Sequence, residues 1–225
     1  MPRPRLAVLA IVALLNAEIV MAESSILRLP EPVSGPVGTL GALLRERRTV
    51  RAFSAEPLTL AQVGQLLWAA QGITSPDGFR TAPSAGALYP LELHLIAGAV
   101  TGLPVGHYRY APARHGLDWL ATADRRVAVA HAAHGQAWIA QAPALVVVAA
   151  VPERTRTKYG SRSRRYVDME VGHSSQNLLL QAVALGLDGA VVGAFDDAAL
   201  HRLLDLPKAE EPLVILPIGH ARGSR

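Results

Sequence analysis

The stretch TAPSAGALYPLEL, Thr81 to Leu93, decides how the rest of the chain is read. Pro83, Ser84 and Gly86 stand among small residues and make a turn. From Leu91 the pattern changes: Leu91, Leu93 and Leu95 alternate with Glu92 and His94, the period-two signature of a strand. Ser84, Ala85, Gly86 and Ala87 leave the backbone almost bare, so amides and one hydroxyl can approach a flat ligand closely. On this stretch alone the plainer reading is an ordinary glycine-containing loop before a strand, because short glycine motifs recur widely.

Upstream, a short helix from Leu40 leads into Arg47-Arg48-Thr49-Val50-Arg51, the densest cationic cluster in the chain. Arginine forks match phosphate oxygens two at a time, and Thr49 adds a hydroxyl. A solvated surface run is the commoner fate of such a cluster. Thr59-Leu60-Ala61-Gln62 reads as a capping box, and Leu60, Val63, Leu66, Leu67 and Ala70 form the buried face of the helix behind it, stopped by Gly72. Residues 75–78 make a turn.

Downstream, Tyr108 and Tyr110 begin a hairpin that turns over residues 111–116. Residues 126–133 and 136–141 look helical. Residues 145–151 are continuously apolar and fit a central strand buried on both faces. The basic stretch RTRTKYGSRSRR, residues 154–165, is either a mobile active-site segment or a solvated loop. Residues 166–185 carry the longest helical pattern, interrupted early by Glu170, His173, Gln176 and Asn177. A turn over 186–189, a short strand over 190–193, a helix capped by Asp196 and a strand over 213–218 complete the domain.

The 225 residues suit one domain, and half of them are hydrophobic. The net charge of +4 and a pI of about 9.8 invite nucleic acid as a partner. The arginines are scattered, however, and aromatics are only 5%, so the clustered footprint is missing and nucleic acid is not expected. The absence of cysteine excludes disulfides, thiol nucleophiles and Cys-ligated metals. No HExxH or Asp-rich loop occurs, so no metal is expected; Rossmann, Walker A and Gly-x-Ser-x-Gly signatures are also missing. Residues 1–22 have the n-, h- and c-region order of a signal peptide, with Arg3 and Arg5, an apolar run, and Val20-Met21-Ala22 before the cut. That order predicts a periplasmic or secreted protein, with a cytoplasmic one as the alternative. The apolar run is too short for a stable membrane span. Residues 23–39 read as an extended arm, and residues 40–225 as the domain.

Four motifs in order carry a resemblance. Arg47-Arg48-Thr49-Val50-Arg51-x-Phe53 resembles the opening motif of FMN-dependent nitroreductase-fold proteins. Pro83-Ser84-Ala85-Gly86-Ala87-Leu88-Tyr89-Pro90 is similar to the second motif of their SagB-type branch, the azoline oxidases. Glu170-x-Gly172-His173-x-x-Gln176-Asn177 and Gly186-Leu187-x-x-x-Val191-x-Gly193-Ala194-Phe195-Asp196 are similar to the later motifs. The resemblance implies an α+β fold, a central mainly antiparallel sheet flanked by helices, in an intertwined homodimer with FMN at the subunit interface. The cofactor residues it implies are Arg47, Arg48, Thr49, Arg51, Pro83, Ser84, Ala85, Gly86, Ala87, Val192, Gly193, Ala194 and Arg222. Among these, Arg47, Arg48 and Thr49 would hold the phosphate. Ser84, Ala85 and Ala87 would line the flavin ring. Gly193 and Ala194 would offer amides to its N5 edge. Many relatives have Asn at Ala87 and Gln at Tyr89, and they place a basic residue on the phosphate from well past the last strand, where this chain offers Arg222 or Arg225. Lys158-Tyr159 matches the catalytic pair of azoline oxidation, although in sequence it stands apart from all four motifs. The implied activity is hydride transfer between flavin and a small-molecule or peptide-derived substrate. A nitro- or quinone reductase using NAD(P)H, and a flavin-binding protein without turnover, are the alternatives.

Overall fold

The computed structural model describes residues 26–33 and 38–223. The expected signal segment and Arg225 lie outside them. In chain order the elements are β1 (Ile26–Arg28), α1 (Leu40–Glu46), β2 (Leu58–Thr59), α2 (Leu60–Gln71), β3 (Leu91–Ala97), β4 (Val100–Thr101), β5 (Gly106–Ala111) and β6 (Gly116–Ala121). There follow α3 (Arg126–Ala132), β7 (Ala144–Ala150), α4 (Glu153–Tyr159), α5 (Ser163–Ala184), β8 (Asp188–Gly189), α6 (Asp197–Leu204) and β9 (Glu211–Gly219). Seven strands form one sheet in the order β1-β6-β5-β3-β7-β9-β8, antiparallel at every pairing. This is the expected α+β architecture, an antiparallel central sheet flanked by helices.

The apolar run of β7 puts it at the centre. Its neighbours are β3 and β9, and alternate residues face two separate cores. Ala144, Val146, Val148 and Ala150 pack with Leu93, Leu95, Leu216 and residues of α2 and α5. Leu145, Val147 and Ala149 pack with Ile96, Ile215, Phe53, Leu200 and Val129 on the other face. A strand with helices on both sides needs apolar residues at every position, and β7 supplies them. Thr59 and Gln62 form the expected reciprocal cap of α2, an arrangement that stabilises a helix by about 1 kcal/mol. Asp196 caps α6 by accepting from the Ala199 amide at 2.8 Å.

Three expectations need correction. The 154–165 stretch is not a loop: it is α4, a 3-10 turn at Gly160–Arg162 and the first turn of α5. Its arginines pair with carboxylates three or four residues away, Arg156 with Glu153 and Arg164 with Asp168, which is helical spacing. The short strand is Asp188–Gly189, two residues before the expected one, with Val192 making a single bridge to Ile215. The arm contributes a strand of its own, β1, which pairs with β6. Beyond β1, His115 Nε2 donates to the Pro30 carbonyl at 2.9 Å, which leaves Nδ1 to accept from Tyr110 OH, also 2.9 Å away. Among the described residues, no helix is long and apolar enough to cross a membrane.

Candidate functional site

The bare turn sits at one end of the central strands, where Val151 N donates to the Pro90 carbonyl. Its backbone is left-handed at three residues: Gly86 (φ 63°), Ala87 (φ 55°) and Tyr89 (φ 46°). The two non-glycine residues each cost on the order of 1–2 kcal/mol in that conformation, so something must hold them. Glu170 of α5 does much of it. Its Oε1 accepts from Ser84 Oγ and from the Ala85 amide, both at 2.9 Å, and Ser84 Oγ accepts in turn from the Tyr89 amide at 2.9 Å. Burial pushes the Glu170 carboxyl above its usual range, against those hydrogen bonds and the nearby His173 and Arg80 charges. Tyr89 is spoken for as well: its OH accepts from the Arg80 amide at 3.2 Å and its ring lies under the Arg80 guanidinium at 4.5 Å.

Lys158 and Tyr159 do not stand apart from the motifs in space. A Cβ on Gly86 would come within 2.9 Å of Tyr159 OH and 3.0 Å of Lys158 Nζ. The end of α4 therefore packs on the turn, and Gly86 eases the fit twice, by its φ and by the room its missing Cβ leaves for Tyr159 and Lys158. The Ser84 hydroxyl hydrogen and the Ala85 amide are both committed to Glu170, so this turn presents its other backbone groups and the apolar faces of Ala85 and Ala87.

The cationic cluster sits at the opposite end. Thr49 bridges to Gly189, and Val50 N donates to the Gly189 carbonyl at 3.0 Å. Arg222 N donates to Ala52 O at 2.9 Å and its Nε to Phe53 O at 3.2 Å, so main-chain pairing delivers the tail arginine to the first motif. Arg48 Nη1 donates to the carbonyls of Arg45 and Arg47. Arg51 lies 5.7 Å from the Trp138 ring centre. Gln136, two residues before Trp138, donates to the Ala194 carbonyl at 3.2 Å. Among the described residues, no carboxylate pairs with Arg47, Arg48, Arg51 or Arg222. Arg48, Thr49, Arg51, Gly193, Ala194 and Arg222 are exposed. An un-neutralised cationic set with a free hydroxyl suits a phosphate.

The structure thus brings together residues 47–51 and Arg222, and separately residues 83–87 with Lys158 and Tyr159. It does not bring the two groups together. They flank β7, whose seven residues span about 20 Å. Fourteen helical residues of α5 separate Glu170 from Ala184, again about 20 Å.

A polar chain running from the exposed Arg154 to the buried Glu210, His94 and His107 ties the turn end to the sheet. Arg154 donates to the Tyr89 carbonyl at 3.0 Å and to Glu92 at 2.5 Å. Glu92 also pairs with Arg109, Arg109 with Glu210, and Glu210 with His94 Nε2 at 2.9 Å. His94 Nδ1 meets His107 Nε2 at 3.0 Å. Burial, then the neighbouring His94 and Arg125, push His107 down to about 3. Burial pushes Glu210 up, but the His94 hydrogen bond and the Arg109 charge outweigh it and hold the carboxyl below its usual range. The sequence reading did not single out Glu170 as a site residue, nor Arg154 or Glu210. The signal available for Glu170 was a carboxylate at a helical spacing from Val167 and Ser174 on the buried face of α5. Among the described residues, no group of three or more His, Asp or Glu side chains could hold a metal ion.

Residues 44–220 match the model of the Nitroreductase family. A protein of Methanocaldococcus jannaschii with a provisional nitroreductase name is 43% identical over 177 residues, covering 79% of this chain and 88% of that one. A Ralstonia eutropha crystal structure with a similarly provisional name is 28% identical, with a TM-score of 0.79 and coverage of 90% of this chain and 92% of that one. A chain of the Escherichia coli microcin synthetase McbBCD complex, with truncated pro-MccB17 bound, shares the fold at 23% identity and a TM-score of 0.69, covering 92% of this chain and 82% of that one.

Proposed function

Because this chain belongs to the nitroreductase family, whose members are oxidoreductases, we propose that it is an FMN-dependent oxidoreductase of the SagB type, active as a homodimer. The observation that carries this is the separation of two half-sites in one chain. A phosphate-fit cluster at 47–51 and 222 lies about 20 Å from a locked, bare turn at 83–87. One FMN spans both only if each half comes from a different copy. Arg47, Arg48, Thr49 and Arg222 would hold its phosphate, and residues 83–87 of the other copy would line its ring, with Val192, Gly193 and Ala194 closing the N5 edge. Bound FMN would supply a two-electron hydride acceptor and donor at N5. Lys158 and Tyr159, packed on Gly86, would take or return the substrate proton. A peptide-derived substrate is favoured by the fold likeness to the microcin synthetase chain. The name of the M. jannaschii relative favours the second reading, a nitro- or quinone reductase supplied by NAD(P)H.

Subunit mixing tests the proposal. An Arg47→Ala/Arg222→Ala chain and a Gly86→Val chain should each lose flavin from their own dimers. A mixed dimer has one site with both defects and one with neither, so flavin should return to about half the wild-type content. Wild-type protein without FMN, by absorbance and mass of the released ligand, would sink the cofactor reading. Mixed dimers that stay empty would sink the two-chain site.

A further inference from the structure

The 154–165 segment carries six cations, and the structure divides them. Arg154 is paired with Glu92, Arg156 with Glu153, and Arg164 with both Asp168 and Glu211. Among the described residues, no carboxylate pairs with Lys158, Arg162 or Arg165. Two of these three are held by aromatic rings instead. Lys158 Nζ lies 5.6 Å from the centre of the Tyr159 ring, and the Arg162 guanidinium 5.8 Å from that of Tyr166. Arg162 Nε also donates to Tyr166 OH at 3.2 Å. The two rings meet edge to face, centres 5.0 Å apart and planes at 83°.

We infer that Arg162, held on the Tyr159–Tyr166 pair, forms a carboxylate-recognition subsite beside the 83–87 turn. It rests on the proposal that this turn lines the flavin, and it adds the substrate's chemical class. A carboxylate partner orders a cation by neutralising it; a ring orders it and leaves the charge in place. Arg162 uses only Nε, so its two terminal nitrogens remain for a forked bond to a carboxylate. The location is also specific. Lys158 Nζ touches the space over Gly86, and Tyr166 lines a groove of about 230 Å³ with residues that include Pro83, Ser84, Ala85, Glu170 and His173. A carboxylate ligand is therefore directed with its acid toward Arg162, and its neutral, reacting part toward Lys158 and the turn.

The test is binding without turnover, by calorimetry, on protein as purified with its flavin content recorded. The probes are para-nitrobenzoate and its neutral isostere para-nitrobenzamide. The benzoate should bind about tenfold tighter, the scale of one charge-assisted hydrogen bond in a half-exposed place. Arg162→Gln should remove most of that preference, and Tyr166→Leu, which keeps the charge but removes its platform, should reduce it. Arg165→Gln should leave it intact. Equal affinity for the two probes, no benzoate binding, or an equal loss in Arg165→Gln would overturn the subsite, the last by showing diffuse surface charge. Protein lacking flavin that still prefers the benzoate would retain the subsite and refute only the cofactor reading.

Discussion

The two ends of β7 solve opposite problems. At the arginine end the charges are left un-neutralised: among the described residues no carboxylate pairs with Arg47, Arg48 or Arg222, and the segments are held by main-chain bonds of Val50 to Gly189 and of Arg222 to Ala52, with Arg222 Nε on the Phe53 carbonyl. At the other end the turn itself is closed. Ser84, Ala85 and Tyr89 are bonded within the protein, and a chain of charged groups runs from the Tyr89 carbonyl to His107. The difference fits what each end would meet. A phosphate brings its own charge and asks for unspent donors. A flat ring asks for a rigid, featureless surface, and the strained turn gives one only if side chains hold it.

That comparison breaks most visibly in acid. His107 is buried and neutral, with its folded value pushed from 6.5 down to about 3. The unfolded chain therefore binds the proton first, and stability is lost as pH falls from about 6.5 toward 3, by about 1.4 kcal/mol per unit. Glu210, held low in the fold, adds a loss of the same sign as pH falls through its folded value. Chemical denaturation at pH 4.5 should show a stability about 3 kcal/mol below that at pH 7. His107→Gln, which cannot titrate, should flatten the slope. Hydrogen exchange should open residues 89–94 before residues 189–192. Simultaneous opening of both ends would show that the polar chain does not distinguish them.

A smaller effect sharpens the chemistry of the turn end. Lys158→Ala and Tyr159→Phe should lower turnover about 100-fold, the usual scale of a general acid–base group, while flavin content stays within a factor of two. Neither residue makes a hydrogen bond that holds the turn, so the flavin spectrum should not change. Loss of flavin together with turnover would mean that α4 only shapes the turn. Full activity with an oxidisable substrate would move the proton chemistry elsewhere.

What could be read in the sequence follows from how local each signal is. The alternation from Leu91, the apolar run of β7 and the Thr59 cap are set by residues within one element, and each lies where the pattern put it. The helix at 153–159 and the first turn of α5 are hidden because their pairs, Arg156 with Glu153 and Arg164 with Asp168, look like a featureless basic run until the spacing is counted. The proximity of Lys158-Tyr159 to Gly86 could not be read at all. It depends on α4 folding back across the end of β7, and no residue between them records that distance. Nor could the division of labour at Ser84, whose partner Glu170 is 86 residues away.

The smallest effect concerns Glu170 itself. Both bonds to the turn end on Oε1, so a neutral side chain with one well-placed oxygen can make them. The carboxyl is pushed up by burial, so the fold holds its proton more tightly than the unfolded chain does. Stability from that proton is full below the unfolded carboxylate value and is lost as pH rises through the higher folded value. Glu170→Gln keeps an acceptor and carries no charge to bury. Its melting temperature should match that of the wild type near pH 4 and exceed it increasingly as the wild-type carboxyl ionises, then run parallel at higher pH. Glu170→Ala leaves the Ser84 hydroxyl and the Ala85 amide without their acceptor and should be less stable at every pH. A Gln variant that loses ground as pH rises would show that the negative charge, attracted to His173 and Arg80, holds the turn more than the hydrogen bonds do. The turn end would then resemble the arginine end after all, held by open charge rather than by closed contacts.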